Sequence, residues 1–84
     1  MGRPVGEITK RFTLVVKHNG SESDDSIIEK VVGRSAAMSS IEDSQRVMSF
    51  TYRYQRSAAN AVKRLSQAES DKIHFAYSTS ISEK

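Results

Sequence analysis

VMSFTYRYQR, residues 47–56, is the stretch whose reading decides the fold. It alternates with period two, placing Met48, Phe50, Tyr52 and Tyr54 on one parity and Val47, Ser49, Thr51 and Arg53 on the other. Two readings compete. The aromatics could be offered to nucleic-acid bases on an open sheet, or they could be half of an ordinary hydrophobic core.

The surrounding chain has 84 residues, enough for one domain with a thin stability margin. At 37% hydrophobic and 27% charged residues it reads as globular rather than disordered. It has no cysteine, which excludes disulfides, thiolate chemistry and cysteine-based zinc sites and fits a reducing compartment. The apolar run Leu14-Val15-Val16 is far too short to span a bilayer. The net charge of +3 is unevenly spread: residues 1–20 carry +3, residues 21–45 carry −4 and residues 46–84 carry +4. That asymmetry suits a weakly anion-attracting face and falls short of the concentrated patch of a dedicated DNA binder.

Working outward from residues 47–56, five further elements take shape. Residues 1–6 read as a lead-in, and Glu7–His18 as a strand with Phe12, Leu14 and Val16 on one parity. Asn19-Gly20 breaks that strand, with Gly20 able to take a positive φ, and an acidic, serine-rich loop follows. Ser26-Ile27-Ile28-Glu29 is a capping-box pattern opening a helix, with Asp24 and Asp25 at its positive end. Gly33 implies that this helix is short. Met38–Glu42 reads as a short strand, Asp43-Ser44-Gln45 as a turn, and Arg46–Tyr54 as the best strand of the chain. Ser57 then caps a helix whose small-residue face is Ala58, Ala61, Val62, Leu65 and Ala68. Ile73, Phe75 and Tyr77 alternate as a last strand, and residues 80–84 read as a tail.

The order β-α-β-β-α-β predicts a single α+β domain over residues 7–79. It is a ferredoxin-like sandwich with a four-stranded antiparallel sheet in the order 4-1-3-2 and both helices on one face. The first and third strands are expected side by side in the centre, running parallel. Two aliphatic helix stripes need cover, and only the aromatic parity can provide it. The RNA recognition motif shares this element order but carries its aromatics on the open face, within a signature containing two small residues. QRVMSFTYRY has neither small residue, so the aromatics of residues 47–56 are read as core.

The remaining candidates for chemistry are sparse. His18 and His74 differ in parity and lack the further ligands a zinc site needs. Glu22, Asp24 and Asp25 lack the spacing of a calcium loop, and no serine lies in a nucleophile elbow. No catalytic residue, metal or cofactor is therefore expected, and the chain reads as non-enzymatic. Asn19, Gly20 and Ser26, beside the free amides of the first helix, are the candidate ligand-binding residues. Arg11, Lys17, Arg53 and Arg56 form the candidate interaction surface, with Arg53 and Lys17 expected together on the open sheet.

KRFTLVVKHNG as a basic entry strand, RVMSFTYRYQ as a long third strand and AVKRLSQAESDKIHFAYST as a helix leading into a final strand together resemble small ACT-like regulatory domains. In layout they are most similar to the soluble C-terminal domain of MgtC/SapB-type bacterial membrane proteins. HNGSESDDS departs from amino-acid-binding ACT domains in lacking the Asp-x-Pro-Gly type of ligand loop. The resemblance implies the excised cytoplasmic tail of a larger membrane protein, at the cytoplasmic face of the inner membrane. Its partners are then the membrane-spanning part of the parent chain and a second copy in a homodimer. The function expected is regulation or interaction, by self-association or small-ligand binding. The alternative is a small nucleic-acid-binding module using the basic open face, with Arg11, Lys17, Arg53, Arg56, Lys63 and Arg64.

Overall fold

The computed structural model describes residues 11–69 and 71–83, so the lead-in and the expected strand residues 7–10 lie outside the described part. Six elements follow in the expected order: β1 (Phe12–His18), α1 (Asp24–Val32), β2 (Met38–Glu42), β3 (Gln45–Tyr52), α2 (Gln55–Ala68) and β4 (Tyr77–Glu83). The strands form one sheet in the order β2-β3-β1-β4, which is the 4-1-3-2 arrangement read from its other edge. This is the ferredoxin-like α+β fold.

Every neighbouring pair is antiparallel, including the central one, where Phe12 faces Tyr52 and His18 faces Arg46. The parallel central pair expected from the sequence is therefore wrong. The β2–β3 connection is a two-residue hairpin, which reverses the chain. The crossover through α1 makes β2 parallel to β1, so β3 must oppose both. The hairpin is tight: Asp43 and Ser44 both have positive φ, 49° and 67°, as a type I′ turn requires.

Because directly opposed residues of an antiparallel pair share a face, the register sorts the side chains. Phe12, Leu14, Val16 and His18 lie on the helix side with Arg46, Met48, Phe50 and Tyr52. Leu14, Val16, Met48, Phe50 and Tyr52 are buried with Ile28 and Val32 of α1, Ala58, Ala61 and Leu65 of α2, and Ile73. Alanines on α2 let its backbone approach the sheet, and Phe50 fills the middle. Truncating Phe50 to alanine costs about 3–5 kcal/mol, a large part of the ~5–15 kcal/mol that holds a domain together. Tyr54 departs from the expected core set: β3 ends at Tyr52, and Tyr54 is 62% exposed.

Both ends of the helical layer shift from their expected places. Helix α1 begins at Asp24, and Ser26 lies inside it. The capping box does not form, because the Glu29 carboxylate accepts the Ala36 N–H at 2.9 Å. An i, i+3 reach-back occurs earlier instead, where the Asp24 carboxylate takes the Ser21 N–H at 2.7 Å. Gly33, at φ 88°, closes α1 by donating its N–H to the Glu29 carbonyl, as an early stop requires. Helix α2 starts two residues before Ser57, with Tyr54 in the cap position.

The last strand moves furthest. The Ala68 carbonyl accepts the N–H groups of Asp71, Lys72 and Ile73, so the chain turns on itself after α2. Ile73 reaches the core from this turn rather than from a strand. Strand β4 then runs from Tyr77 through Glu83, so residues 80–83 are sheet and not tail. Its helix-side residues are Tyr77, Thr79 and Ile81, opposite His18, Val16 and Leu14. Among the described residues no helix is long and apolar enough to cross a membrane.

Candidate functional site

Two polar clusters sit at opposite ends of the β1–β3 pair, both on the helix-covered side. The first surrounds His18, the last residue of β1 and fully buried. Its Nδ1 accepts the Gly20 N–H at 3.0 Å, which requires the neutral ring with the proton on Nε2. Nε2 donates to Asp25 Oδ1 at 2.8 Å. Asp25, in the first turn of α1, also receives Arg46 through Nε at 3.0 Å and Nη2 at 2.8 Å. The Phe75 ring covers the imidazole at 4.9 Å between centroids. Burial raises the Asp25 carboxyl, but hydrogen bonds from Arg46 and His18 outweigh it and hold the group below the usual carboxylate range. Both imidazole nitrogens are engaged and the acid is neutralised, so this cluster ties α1 to the sheet and offers nothing to a ligand.

The sequence-expected ligand residues border that cluster. Asn19 is exposed and donates its backbone N–H to the Ala76 carbonyl at 3.0 Å. The Gly20 N–H is taken by His18, and Ser26 is exposed on α1. Gly20 does not have a positive φ; it is needed for closeness, since a Cβ there would lie 2.4 Å from the Asp24 carboxylate and 2.9 Å from its Cβ. The chain's own acids, Asp24 and Asp25, occupy the start of α1. His74 is exposed in the loop before β4, far in role from His18.

The expected basic patch is divided by the register. Lys17 pairs with Val47, whereas Arg53 follows the other end of β3, where Thr51 pairs with Thr13. At ~3.3 Å per residue the two are roughly 20 Å apart, so they do not form one patch. Lys17 also lies 4.0 Å from Glu42 Oε1. Arg11, Arg53 and Arg56 are exposed, with Arg11 and Arg53 at the same end of the central strands. Most of the open face between them is uncharged: Thr13, Val15, Val47, Ser49, Thr51, Ser78, Ser80 and Ser82.

The second cluster is different. A cavity of about 220 Å³ opens where the end of α1, the end of β3 and the start of α2 meet. Val32, Gly33, Arg34, Tyr52, Ser57, Asn60 and Arg64 line it. The Arg34 guanidinium lies 4.2 Å from the Tyr52 ring centroid and donates to the Thr51 carbonyl. Arg64 donates to the Val32 carbonyl at 3.1 Å, where the negative end of α1 favours a cation. Each guanidinium has five N–H donors, and only one of each is held by these bonds. Gly33 lets the guanidinium close in, since a Cβ would stand 3.2 Å from Arg64 Nη1.

At the back of this cavity stands Tyr52, only 4% exposed. Its hydroxyl is buried without a hydrogen-bond partner among the described residues. Such a group costs roughly 1–3 kcal/mol. Burial pushes this hydroxyl above its ordinary range against the pull of Arg34 and Arg64, so it stands as a donor at neutral pH. Two guanidiniums, the Ser57 hydroxyl and the Asn60 amide thus surround a space with no acid among its described lining residues. The arrangement can hold an anion, and none of these groups is suited to moving a proton near pH 7.

Of these residues the sequence points only to Arg64, and to it as one basic residue of the nucleic-acid alternative rather than as part of a cavity. The signal that could have found them is a second stripe: Ser57, Asn60 and Arg64 recur at i, i+3 and i+7, beside the apolar stripe of α2. Arg64 reads as merely external when only the apolar stripe is followed. No family model matches the chain, and no curated protein matches it.

Proposed function

We propose that this chain is a non-enzymatic binding domain that takes a small anionic ligand in the cavity between Arg34 and Arg64. One observation carries the reading: the Arg34 and Arg64 guanidiniums line one cavity together with Ser57 and Asn60, and no carboxylate lines it among the described residues. An anion there accepts from Arg34, Arg64, Ser57 and Asn60 and neutralises both arginines. It also joins the end of α1 to the start of α2, so binding tightens the helical layer. That coupling is a physical basis for regulation.

The resemblance to the cytoplasmic domain of MgtC/SapB-type proteins extends the proposal: a ligand-tuned regulatory part of a larger bacterial membrane protein, working as a homodimer. The shared element order supports that extension. The nucleic-acid alternative rests on Arg11, Lys17, Arg53, Arg56, Lys63 and Arg64, of which Lys17 lies toward the opposite end of the central strands from Arg11 and Arg53.

Inorganic phosphate, titrated at constant ionic strength and followed by thermal unfolding, tests the binding reading. Phosphate is expected to raise the melting temperature of the wild type, and Arg64→Gln to abolish the rise. An unchanged melting temperature across the titration would refute anion binding in this cavity.

A further inference from the structure

The cavity has a neighbour. Tyr54, Arg56 and Ser57 line an open hollow of about 490 Å³, and Ser57 belongs to both spaces. The hollow is built on the Tyr54 ring, 62% exposed at the cap of α2, with the Arg56 side chain in the first turn beside it. Helix α2 opens without a side-chain cap and without an acid in its first turn, whereas α1 carries two acids there. Its free amides therefore favour an anion from outside.

The donor set favours phosphate over carboxylate. A carboxylate carries one charge on two oxygens, whereas a phosphate monoester carries about −1.5 to −2 on three oxygens near pH 7. Arg34 and Arg64 supply two positive charges, and Ser57 and Asn60 supply further donors around the same space. A group with three acceptor oxygens uses this set more fully. Beyond Ser57, the exposed Tyr54 side chain is a stacking platform for a flat ring, with Arg56 lining the same hollow. An alkyl chain gains less from that arrangement than a planar, polarisable ring does.

We infer that the ligand is a mononucleotide: its phosphate in the Arg34–Tyr52–Arg64 cavity, its base stacked on Tyr54 in the adjoining hollow. This rests on the anion-binding reading above and adds the ring. Stacking of this kind tolerates any base, so adenosine monophosphate is a fair probe.

Calorimetric titration of the intact chain with inorganic phosphate, glycerol 3-phosphate, adenosine monophosphate and adenosine tests it. Adenosine monophosphate is expected to bind about tenfold tighter than glycerol 3-phosphate, the increment of one stacked base. Adenosine alone should show no measurable binding. Tyr54→Ala should erase the advantage of the nucleotide and leave inorganic phosphate unchanged, and Arg64→Gln should weaken every phosphate compound. Equal binding of adenosine monophosphate and glycerol 3-phosphate overturns the mononucleotide assignment and leaves the anion site standing. Adenosine binding as tightly as its monophosphate overturns it too, as does a nucleotide advantage that survives Tyr54→Ala. Absence of binding by all phosphate compounds overturns both readings.

Discussion

The two ends of the β1–β3 pair carry similar parts and end in opposite states. At one end His18 opposes Arg46, and Asp25 from α1 arrives between them. At the other end Tyr52 opposes Phe12, and Arg34 and Arg64 arrive from the loop after α1 and from α2, with no carboxylate among the described residues lining the cavity. The chain completes the first cluster with its own acid. It leaves the second with a buried donor unanswered and positive charge to spare. Polar residues at the margin of a core are therefore not a functional signal in themselves. What distinguishes a site from a strut is whether the chain supplies the last partner.

The sharpest way to break this contrast is to remove the acid from the closed end. Asp25→Ala leaves Arg46 and His18 without their shared acceptor and is expected to cost about 3 kcal/mol, read as a lower denaturation midpoint in urea. A cost below about 1 kcal/mol would make the cluster ornamental. The same acid sets an acid limit. Its carboxyl titrates lower in the folded chain than in the unfolded one, so its contribution is present above the ordinary carboxylate range and lost as pH falls through the folded value. Asp25→Asn should flatten the loss of stability below about pH 4; unaltered acid unfolding curves would assign that loss to other groups.

Gly33→Ala probes the boundary of the open end. The left-handed backbone costs a residue with a Cβ about 1–2 kcal/mol, and the new methyl presses on Arg64. Stability and the phosphate response should fall together, and a loss of only one would separate the turn from the cavity. Tyr52→Phe should do the reverse of Asp25→Ala. It removes an unpartnered hydroxyl while keeping the ring, so stability holds or rises by up to about 1 kcal/mol, and because that hydroxyl has no surface open to the cavity the phosphate response should match the wild type. A marked loss of stability would show that the hydroxyl is satisfied within the chain, and the two ends would then be alike. Asp43→Asn with Ser44→Gly, in the hairpin, is the smallest change: a gain of at most about 1 kcal/mol in stability, with both ends unaffected.

Much of the fold is legible in the sequence because two periodicities carry it. Met48, Phe50 and Tyr52 at every second position, and Ala58, Ala61 and Leu65 at helical spacing, identify the core of the sheet and the face of α2 that covers it. What escapes is decided by capping and register. Ile73 and Phe75 alternate like a strand, yet the turn at Ala68 places them in a loop and moves β4 downstream. Tyr54 keeps the core parity but lies past the end of β3. The relation of Lys17 to Arg53 depends on strand direction, which the local pattern does not encode. The candidate cavity escapes for a related reason: Arg34, Tyr52 and Arg64 come from three elements, and only tertiary packing makes neighbours of them.

The central position of β1 also bears on how the chain reaches this state. β1 has no local partner; its two neighbours lie roughly 30–70 residues downstream, the slow kind of contact in topology-limited folding. The β2–β3 hairpin, by contrast, closes over two residues and can form on a timescale of about 1–10 μs. Its β3 strand presents Met48, Phe50 and Tyr52 before anything covers them. The late arrival of β1 therefore leaves a short-lived ribbon with bare apolar side chains, and refolding yield should fall as protein concentration rises.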